Sequence, residues 1–389
     1  MQLRICMLQP PSNQSIPIRS QLAEVYGEHL TKLGHHIVVI LQGRQYKKFI
    51  WNGITVYEIP RFQIWKQVQT IRRIVLAERC NVLQIRNSHL DGLMALFLRH
   101  ILSIPLVYQY TLPSLEYARS VQYGASKPSY IRRGRYLFND AIQFRCMHGS
   151  DLILAMSDQM KKYLISRKIP EERVHSFPSG ASVDRYEINS SKKSSEERSS
   201  PVVTYIGVMS IMRKLEFLIE SINVVVSENP KVQFQLVGDG NDRRHLEKLS
   251  KNLGVNENVT FTGKLPYTDI PEILTNSDIG VSPIPPSPAY FLSSPLKLYE
   301  YMAAGLPVIA NKGIPDQEIT IIKSGGGILT PYDPYEFGQG ILKLASDPEL
   351  AGIMGTKGQF WIRTERSYSK AALDIENVLL KLVDSNNSA

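Results

Sequence analysis

Two residues of opposite charge, Lys297 and Glu300, lie close together in the stretch SSPLKLYEYMAAGLPVIA, residues 293–310. A lysine in the first turn of a helix opposes the helix dipole by roughly 0.3–1 kcal/mol, and a bound anion would reverse that sign. The free N–H groups of a helix start, together with an ammonium group, suit a diphosphate. A carboxylate accepts hydrogen bonds at both oxygens and suits a vicinal diol such as ribose. We therefore expect a nucleoside diphosphate here; the alternative is a solvated lysine paired locally with Glu300.

The ends of this predicted helix determine where the lysine falls. Ser294 is a favourable N-cap and Pro295 suits the first helical position, so the backbone from Pro295 through Leu296 to Lys297 forms the first turn. Gly305 ends the helix before the strand PVIA. These assignments place the lysine at the positive end of the helix dipole.

Two adjacent cations, Arg213 and Lys214, lie at the start of another predicted helix. Their stretch, TYIGVMSIMRKLEFLIE, predicts a strand, a turn at Gly207 and an amphipathic helix. Cations at a helix start again favour a phosphate ligand. In LVGDGNDRRHLEKL, Gly238 opens a turn that is similar to a dinucleotide-binding loop but lacks the third glycine of G-x-G-x-x-G. That turn alone predicts only a tight bend at Asp239.

The sequence offers no pattern that is typical of a metal site. Cys6, Cys80 and Cys146 are scattered, with no second cysteine or histidine at ligand spacing. We therefore expect small buried thiols in a reducing compartment, and chemistry that needs no metal and no separate cofactor.

Short apolar runs alternate with amphipathic segments along the chain, as a parallel sheet with crossover helices requires. The serine-rich, charged stretch 188–201 interrupts this alternation and reads as a linker. We predict an α/β fold with two doubly wound Rossmann-like domains, residues 1–187 and 202–389, and a ligand cleft between them. The helical tail from about Asp347 to Val383 is assigned to the second domain but could lie against either.

Charge is distributed unevenly between the two halves. Residues 1–199 contain 28 Lys and Arg against 15 Asp and Glu, whereas residues 200–389 contain 17 against 21. This asymmetry predicts that the first half meets an anionic surface or ligand. With no apolar run long enough to span a bilayer, we expect a cytoplasmic protein that contacts the inner face of a membrane.

An ordered set of segments in the second half resembles the donor-binding half of retaining glycosyltransferases of family 4, which have the glycosyltransferase-B (GT-B) fold. In chain order the set is YIG…RKLEFLIES, LVGDG…LEKL, NVTFTGKLP, DIGVSP, SPLKLYEYMAAGLPVIA and GGGIL. In the first half HLTKLGHHIVVI and FPSGASVDRYE carry a weaker resemblance. The S-P-x-K sequence before Glu300 is similar to one subset of the family.

The resemblance implies roles for particular residues. Glu300 would hold the nucleotide ribose, and the amides near Pro295 and Leu296 would bind the diphosphate with Lys297. Either Arg213 or Lys214 would neutralise the departing phosphate. Three further residues complete the donor site that the resemblance implies. The full set is Gly207, Gly238, Ser294, Pro295, Leu296, Lys297 and Glu300.

The sequence also departs from the family pattern. The Gly-Arg of the family's first turn is Gly207-Val208 here, so one phosphate cation is missing. The family's paired acids, spaced E-x7-E, place the second acid at Glu300 and the first at Leu292, which is apolar. On the acceptor side, the family's histidines fall near Arg86 and Tyr110, and His89 lies nearby.

One stretch of the basic half, residues 120–138, mixes arginines with tyrosines and a phenylalanine. Cations interleaved with aromatic rings suit a membrane interface, although a solvated loop has the same composition. Among its residues are Arg135, Tyr136 and Phe138.

Three function classes follow from these patterns. We expect a glycosyltransferase that moves a sugar from a nucleotide diphosphate sugar to a saccharide or lipid-linked acceptor, with retention, in surface glycan synthesis. A nucleotide-sugar 2-epimerase of the same fold and a non-catalytic polyanion binder are the alternatives. Nothing resembles a recognised nucleic-acid module, so we expect no nucleic acid partner.

Overall fold

A computed structural model describes residues 1–9, 21–60, 63–87, 90–111, 130–187 and 200–387. Its residues group into two compact units, one formed by Met1–Pro178 with Tyr368–Ala389, the other by Ser179–Ser367. In chain order the strands are β1 (Arg4–Leu8), β2 (His36–Gly43), β3 (Lys47–Trp51), β4 (Ile54–Pro60), β5 (Val82–Arg86), β6 (Leu106–Tyr110), β7 (Leu152–Ala155), β8 (Val174–Ser176), β9 (Val202–Ile206), β10 (Gln233–Val237), β11 (Val259–Gly263), β12 (Ile279–Ser282), β13 (Val308–Asn311) and β14 (Gly327–Thr330).

The helices alternate with these strands through both units. They are α1 (Ile64–Ala77), α2 (Leu90–Leu102), α3 (Tyr130–His148), α4 (Asp158–Ser166), α5 (Asp184–Glu187), α6 (Glu216–Glu228), α7 (Arg243–Asn252), α8 (Ile270–Thr275), α9 (Pro288–Phe291), α10 (Leu296–Ala303), α11 (Pro315–Ser324), α12 (Pro334–Ala345), α13 (Pro348–Glu365) and α14 (Tyr368–Asn387). A helix with π-type winding, Leu22–Leu30, precedes them, and short 3₁₀ turns lie at Glu171–Arg173, Ile211–Arg213 and Tyr267–Asp269.

The sheet of the first unit has the order β3-β4-β2-β1-β5-β6-β7-β8. Its strands pair in parallel except for β3, which pairs antiparallel with β4 at the edge. The chain order reverses between β1 and β5, so the carboxyl ends of these strands form the switch point of a doubly wound sheet. Two predicted acceptor residues, Arg86 and Tyr110, lie at the carboxyl ends of the neighbouring strands β5 and β6.

The second unit has a fully parallel sheet with the order β11-β10-β9-β12-β13-β14. Renumbered within the unit this is 3-2-1-4-5-6, the strand order of a Rossmann fold. Its switch point lies between β9 and β12. The sequence-predicted phosphate residues follow β9 and β12 in the chain, which is why the fold can bring them to one edge.

Apolar side chains alternate between the two faces of this second sheet. Ile309 packs into a core with Phe217 of α6 and Ile341 of α12, whereas its neighbours Val308 and Ala310 pack into a separate core beneath α10 and α13. This alternation is the period-two pattern of a strand buried on both faces. Helices therefore cover both faces, and α10 is fixed by its fully buried residues from Leu298 to Ala303.

The predicted fold class is confirmed: both units are doubly wound α/β structures. The boundaries between the two compact units differ from the domain boundaries that we expected from the sequence. Residues 179–187 group with the second unit, and the last helix α14 groups with the first. His35 Nε2 and Glu376 Oε1 lie 2.7 Å apart within the first unit, as do His175 Nε2 and Asp374 Oδ2 at 2.6 Å. The helical tail is thus divided after Ser367, and the linker 188–199 lies outside the described residues.

Strand β3 was not expected from the sequence because KKFIW is half charged and lies at a sheet edge, where lysine is common. Among the described residues, no helix is both long and apolar enough to cross a membrane.

Candidate functional site

The glycines that follow β9 and β10 let two loops of the second unit approach each other. The Gly207 N–H donates to the Val237 carbonyl at 2.9 Å, and the Gly238 N–H donates to the Gly263 carbonyl at 2.9 Å. A methyl group at Gly238 would lie 1.9 Å from the Gly207 carbonyl oxygen, and Gly238 has a φ of +140°. Only glycine fits at this contact, so Gly238 allows the loops after β9 and β10 to lie close together.

The start of α10 differs from the sequence prediction. The helix begins at Leu296, Pro295 is the N-cap residue, and no side chain caps the first turn. Ser294 is therefore not the N-cap: its Oγ accepts a hydrogen bond from the Ser179 N–H at 3.1 Å. The Ser179 hydroxyl in turn donates to the Ser294 carbonyl at 3.3 Å. Ser294 fixes the chain before the helix, and the first-turn amides have no competing side-chain acceptor.

The ammonium group of Lys297 is buried at this helix start. Its Nζ makes no hydrogen bond to any described residue, including Glu300, and lies 4.0 Å from the centroid of the Tyr205 ring. A methyl group at Gly207 would lie 3.1 Å from Nζ, so the glycine leaves room for the ammonium beside the β9 turn. Burial holds the pKa of Lys297 well below its usual value; the charge of Arg213 adds to this, and Glu300 opposes it.

Arg213 is the last residue of the 3₁₀ turn that follows β9, and its positive charge acts on Lys297. Its guanidinium lies 4.8 Å from the centroid of the Tyr290 ring. Burial raises the pKa of the Tyr205 hydroxyl to about 12, although the charge of Arg213 opposes this rise. Lys214, by contrast, is exposed and adopts a left-handed backbone conformation, φ 46°. Of the two predicted cations, Arg213 is the one whose charge acts on Lys297.

Glu300 lies one turn further along α10 and is buried. Its Oε1 accepts a hydrogen bond from the Tyr267 hydroxyl at 3.2 Å, and the Arg185 guanidinium lies 4.0 Å from the centroid of the Tyr267 ring. Burial raises the pKa of Glu300 to about 7, while Tyr267, Arg185 and Lys297 each act to lower it. Sequence reasoning missed Arg185 and Tyr267, although Arg185 lies in the FPSGASVDRYE turn that carried part of the resemblance.

Leu292, where an acid was expected by analogy, is buried directly after the short helix α9. The preceding Phe291 is exposed. This part of the site therefore has no carboxylate at the position of the family's first acid. Asp239 Oδ1 accepts a hydrogen bond from the neighbouring Gly240 N–H at 2.7 Å, and the turn lies just after it at residues 241–242.

The predicted acceptor residues lie in the first unit. Arg86 Nε donates a hydrogen bond to the Thr111 hydroxyl at 3.4 Å. Tyr110 is the last residue of β6, and its side chain is buried. The structure thus brings Arg86 and Tyr110 to one sheet edge, whereas His89 lies outside the described residues. Of the basic and aromatic stretch 120–138, Phe138 is exposed on α3, and residues 120–129 also lie outside the described part.

Within the second unit these side chains form one continuous arrangement. Uncapped amides and a buried ammonium lie at the start of α10, the charge of Arg213 acts on that ammonium, and a buried carboxylate lies one turn further along. Positive groups in a place of low dielectric can stabilise a polyphosphate far better than exposed cations can. A carboxylate held at that spacing can accept hydrogen bonds from a diol.

Two family models match this chain. Residues 187–361 match the model described as "Glycosyl transferases group 1", and residues 23–185 match "Glycosyltransferase Family 4". Together the two matches support a glycosyltransferase of the family 4 type.

Individual relatives are distant. An uncharacterized glycosyltransferase of Methanocaldococcus jannaschii is 23% identical over 64% of this chain and 63% of its own length. The D-inositol 3-phosphate glycosyltransferase of Corynebacterium jeikeium is 24% identical over 69% of this chain and 65% of its own. The chain thus matches a little under two thirds of the length of these two relatives.

A solved structure extends the likeness to the whole fold. The Anabaena protein HepE in complex with UDP-glucose has a TM-score of 0.72 and 17% identity, covering 97% of this chain and 99% of that one. The chain therefore has the two-domain, Rossmann-like GT-B fold.

Proposed function

We propose that this glycosyltransferase moves a sugar from a nucleotide diphosphate sugar to a saccharide or lipid-linked acceptor, with retention of configuration, in the synthesis of a surface glycan. One observation carries the proposal: the buried Lys297 ammonium has no hydrogen-bond acceptor among the described residues and lies at the uncapped start of α10. A diphosphate supplies the acceptors and the negative charge that this place lacks.

The proposed chemistry follows the movement of charge. When the sugar leaves, negative charge builds up on the β-phosphate, and groups fixed in advance stabilise that charge most in the transition state. Here those groups are the first amides of α10, Lys297 and Arg213, with Lys214 in an outer position. Glu300 holds the ribose hydroxyls, and Gly207 and Gly238 allow the backbone to approach the phosphates.

The proposed reaction uses neither a metal ion nor a protein base. The two cations and the helix amides provide the charge stabilisation that a metal ion would otherwise supply. The departing phosphate then helps to deprotonate the acceptor on the same face of the sugar. Arg86, His89 and Tyr110 are the proposed acceptor contacts.

Relatives are consistent with a nucleotide-sugar donor. Similar proteins include GDP-mannose-dependent phosphatidylinositol monomannoside mannosyltransferases, and HepE was solved with UDP-glucose. The 2-epimerase and the polyanion binder are not favoured.

The first unit supports a further part of the proposal, which is contact with an anionic lipid surface. Trp65 of α1 and Phe97 of α2 are exposed and pack edge to face with their ring centroids 5.8 Å apart. Lys66, Arg72 and Arg73 are exposed on the same helix as Trp65. Rings at headgroup depth beside cations suit a bilayer surface with negative charge, consistent with the basic composition of this half.

A thermal-shift panel tests the donor site. Wild type and Glu300→Ala are heated with UDP-, GDP-, ADP- and dTDP-sugars, and we expect one nucleotide class to raise the Tm of wild type alone. If no donor stabilises wild type, or the variant responds equally, the assignment is wrong.

A further inference from the structure

Three potential metal ligands meet at a place that the donor site does not use. Glu216 is the first residue of α6, Asp242 immediately precedes α7, and His245 lies in the first turn of α7. One ligand atom from each residue lies within 4.8 Å of the other two. His245 Nε2 and Glu216 Oε1 are 3.5 Å apart. Two metal bonds of about 2.0–2.1 Å at a tetrahedral angle separate their ligand atoms by about 3.4 Å.

Asp242 supplies an independent indication of a ligand. The residue is 95% buried, being 5% exposed, and its Oδ2 is buried without a hydrogen-bond partner among the described residues. The Asp242 side chain does not cap α7, and its backbone N–H donates to the Met209 carbonyl at 3.0 Å. An unsatisfied buried carboxylate oxygen is energetically unfavourable, so a native structure normally gives it a partner.

We propose that Glu216, Asp242 and His245 bind a divalent transition-metal ion of the Zn²⁺ type. An imidazole nitrogen with two carboxylates is a donor set that suits zinc, whereas Mg²⁺ and Ca²⁺ select oxygen ligands. A fourth ligand from solvent can complete the site because His245 is exposed. The two carboxylates compensate the charge of the ion, which offsets the unfavourable dipoles of two helix starts.

The position of this site gives the ion a structural role. Glu216 lies three residues after Arg213, and Asp242 lies four residues after Gly238. An ion held by both would join the two loops that carry these donor-site residues.

Calorimetric titration with ZnCl₂ tests the proposal on the full chain after removal of metals with a chelator. We expect one Zn²⁺ per chain, and at least about tenfold weaker binding in Asp242→Asn and in His245→Ala, since even supporting residues of metal sites contribute that much. Glu220→Gln and His100→Ala, which change exposed residues outside the cluster, should bind as wild type does.

Several outcomes would overturn the proposal. These are the absence of Zn²⁺ binding, equal binding by wild type and the Asp242 and His245 variants, or binding of Mg²⁺ in preference to Zn²⁺. Circular dichroism of each variant shows whether it is folded, and the exposed His245 gives a variant whose folding does not depend on the buried carboxylate. Because the readout is metal binding, the result is independent of donor binding and of transferase activity.

Discussion

The ammonium of Lys297 lies 4.0 Å from the centroid of the Tyr205 ring, and neither Lys297 Nζ nor the Tyr205 hydroxyl makes a hydrogen bond within the described structure. A cation over an aromatic face gains about 0.5–2 kcal/mol. A buried charge costs several kcal/mol. The ring therefore compensates only part of the cost, and the unliganded protein retains an unfavourable charge that a diphosphate would relieve.

Replacing Lys297 by methionine should separate stability from function. Lys297→Met removes the buried charge and keeps much of the side-chain volume, so we expect the unliganded protein to gain about 1 kcal/mol, or roughly 2–4 °C in Tm. Donor binding should be lost. Calorimetry and nucleotide-sugar titration measure the two effects, with the exposed Lys231→Met as the control for loss of a lysine. A variant that binds donor as wild type does would contradict the assignment.

Donor binding should depend on pH through Glu300. Its raised pKa of about 7 means that the folded protein holds the proton at lower pH, whereas a diol needs the ionised carboxylate. Affinity should therefore weaken by about tenfold per pH unit below about 7. Arg185, Lys297 and Tyr267 face this group, and a nucleotide sugar has no ionisation of its own in this range. Glu300→Gln should bind more weakly and without this dependence; a pH profile that survives the substitution would point to another group.

The raised pKa of Glu300 also affects the stability of the unliganded protein. Low pH weakens donor binding, but it favours the stability that this group contributes. Since the folded pKa of Glu300 lies above its unfolded value of 4.5, this group contributes stability below about pH 4.5, and that contribution is lost as pH rises through about 7. Urea unfolding of wild type and Glu300→Gln across this range measures it.

Arg213 and Lys214 should differ in their contribution to catalysis. Arg213→Ala should lower kcat by about 10²-fold, as expected when a group that stabilises developing charge is removed. Lys214→Ala should change kcat by less than about fivefold, since a solvent-screened charge contributes at most about 1 kcal/mol. Steady-state kinetics compares them; a larger loss at Lys214 would reverse the roles.

Gly238 should not tolerate a side chain. Gly238→Ala brings its methyl group against the Gly207 carbonyl and should destabilise the protein by roughly 3 kcal/mol. Gly254→Ala is a matched control, because Gly254 also has positive φ but has open space around its α-carbon; it should cost about 1–2 kcal/mol. If chemical denaturation shows the same loss of stability for the two variants, then the positive φ alone accounts for it and the contact with the Gly207 carbonyl contributes nothing.

Binding to vesicles tests the proposed lipid contact. The protein should pellet with anionic vesicles, be released by salt, and not pellet with neutral ones. Trp65→Ser with Phe97→Ser should weaken binding by at least about tenfold, since burial of one such ring contributes about 1.5–3 kcal/mol. Phe360→Ser, which changes an equally exposed ring of the second unit, is the control. Equal binding to neutral vesicles would refute the electrostatic part.

Local patterns were sufficient to predict much of the fold and part of the site. Continuous apolar runs such as HIVVIL identified buried parallel strands, and Lys297 was recognisable because it opposes the helix dipole. The cap at Ser294 was predicted wrongly because its hydroxyl is engaged by Ser179, which is distant in sequence.

Other features depend on distances that no local pattern encodes. Arg185 and Tyr267 reach Glu300 across 115 and 33 positions. Similarly, Glu216 and Asp242 meet only because β9 and β10 are neighbours in the sheet.

The return of α14 to the first unit makes the second unit an insertion within the first. Residues 179–367 are continuous in the polypeptide and contain every proposed donor contact, so this segment is a natural unit to exchange between related enzymes. A chain truncated after Ser367 would instead leave His35 and His175 without Glu376 and Asp374. The second unit is therefore one unbroken stretch of the chain, whereas the first unit is built from the segments on both sides of it.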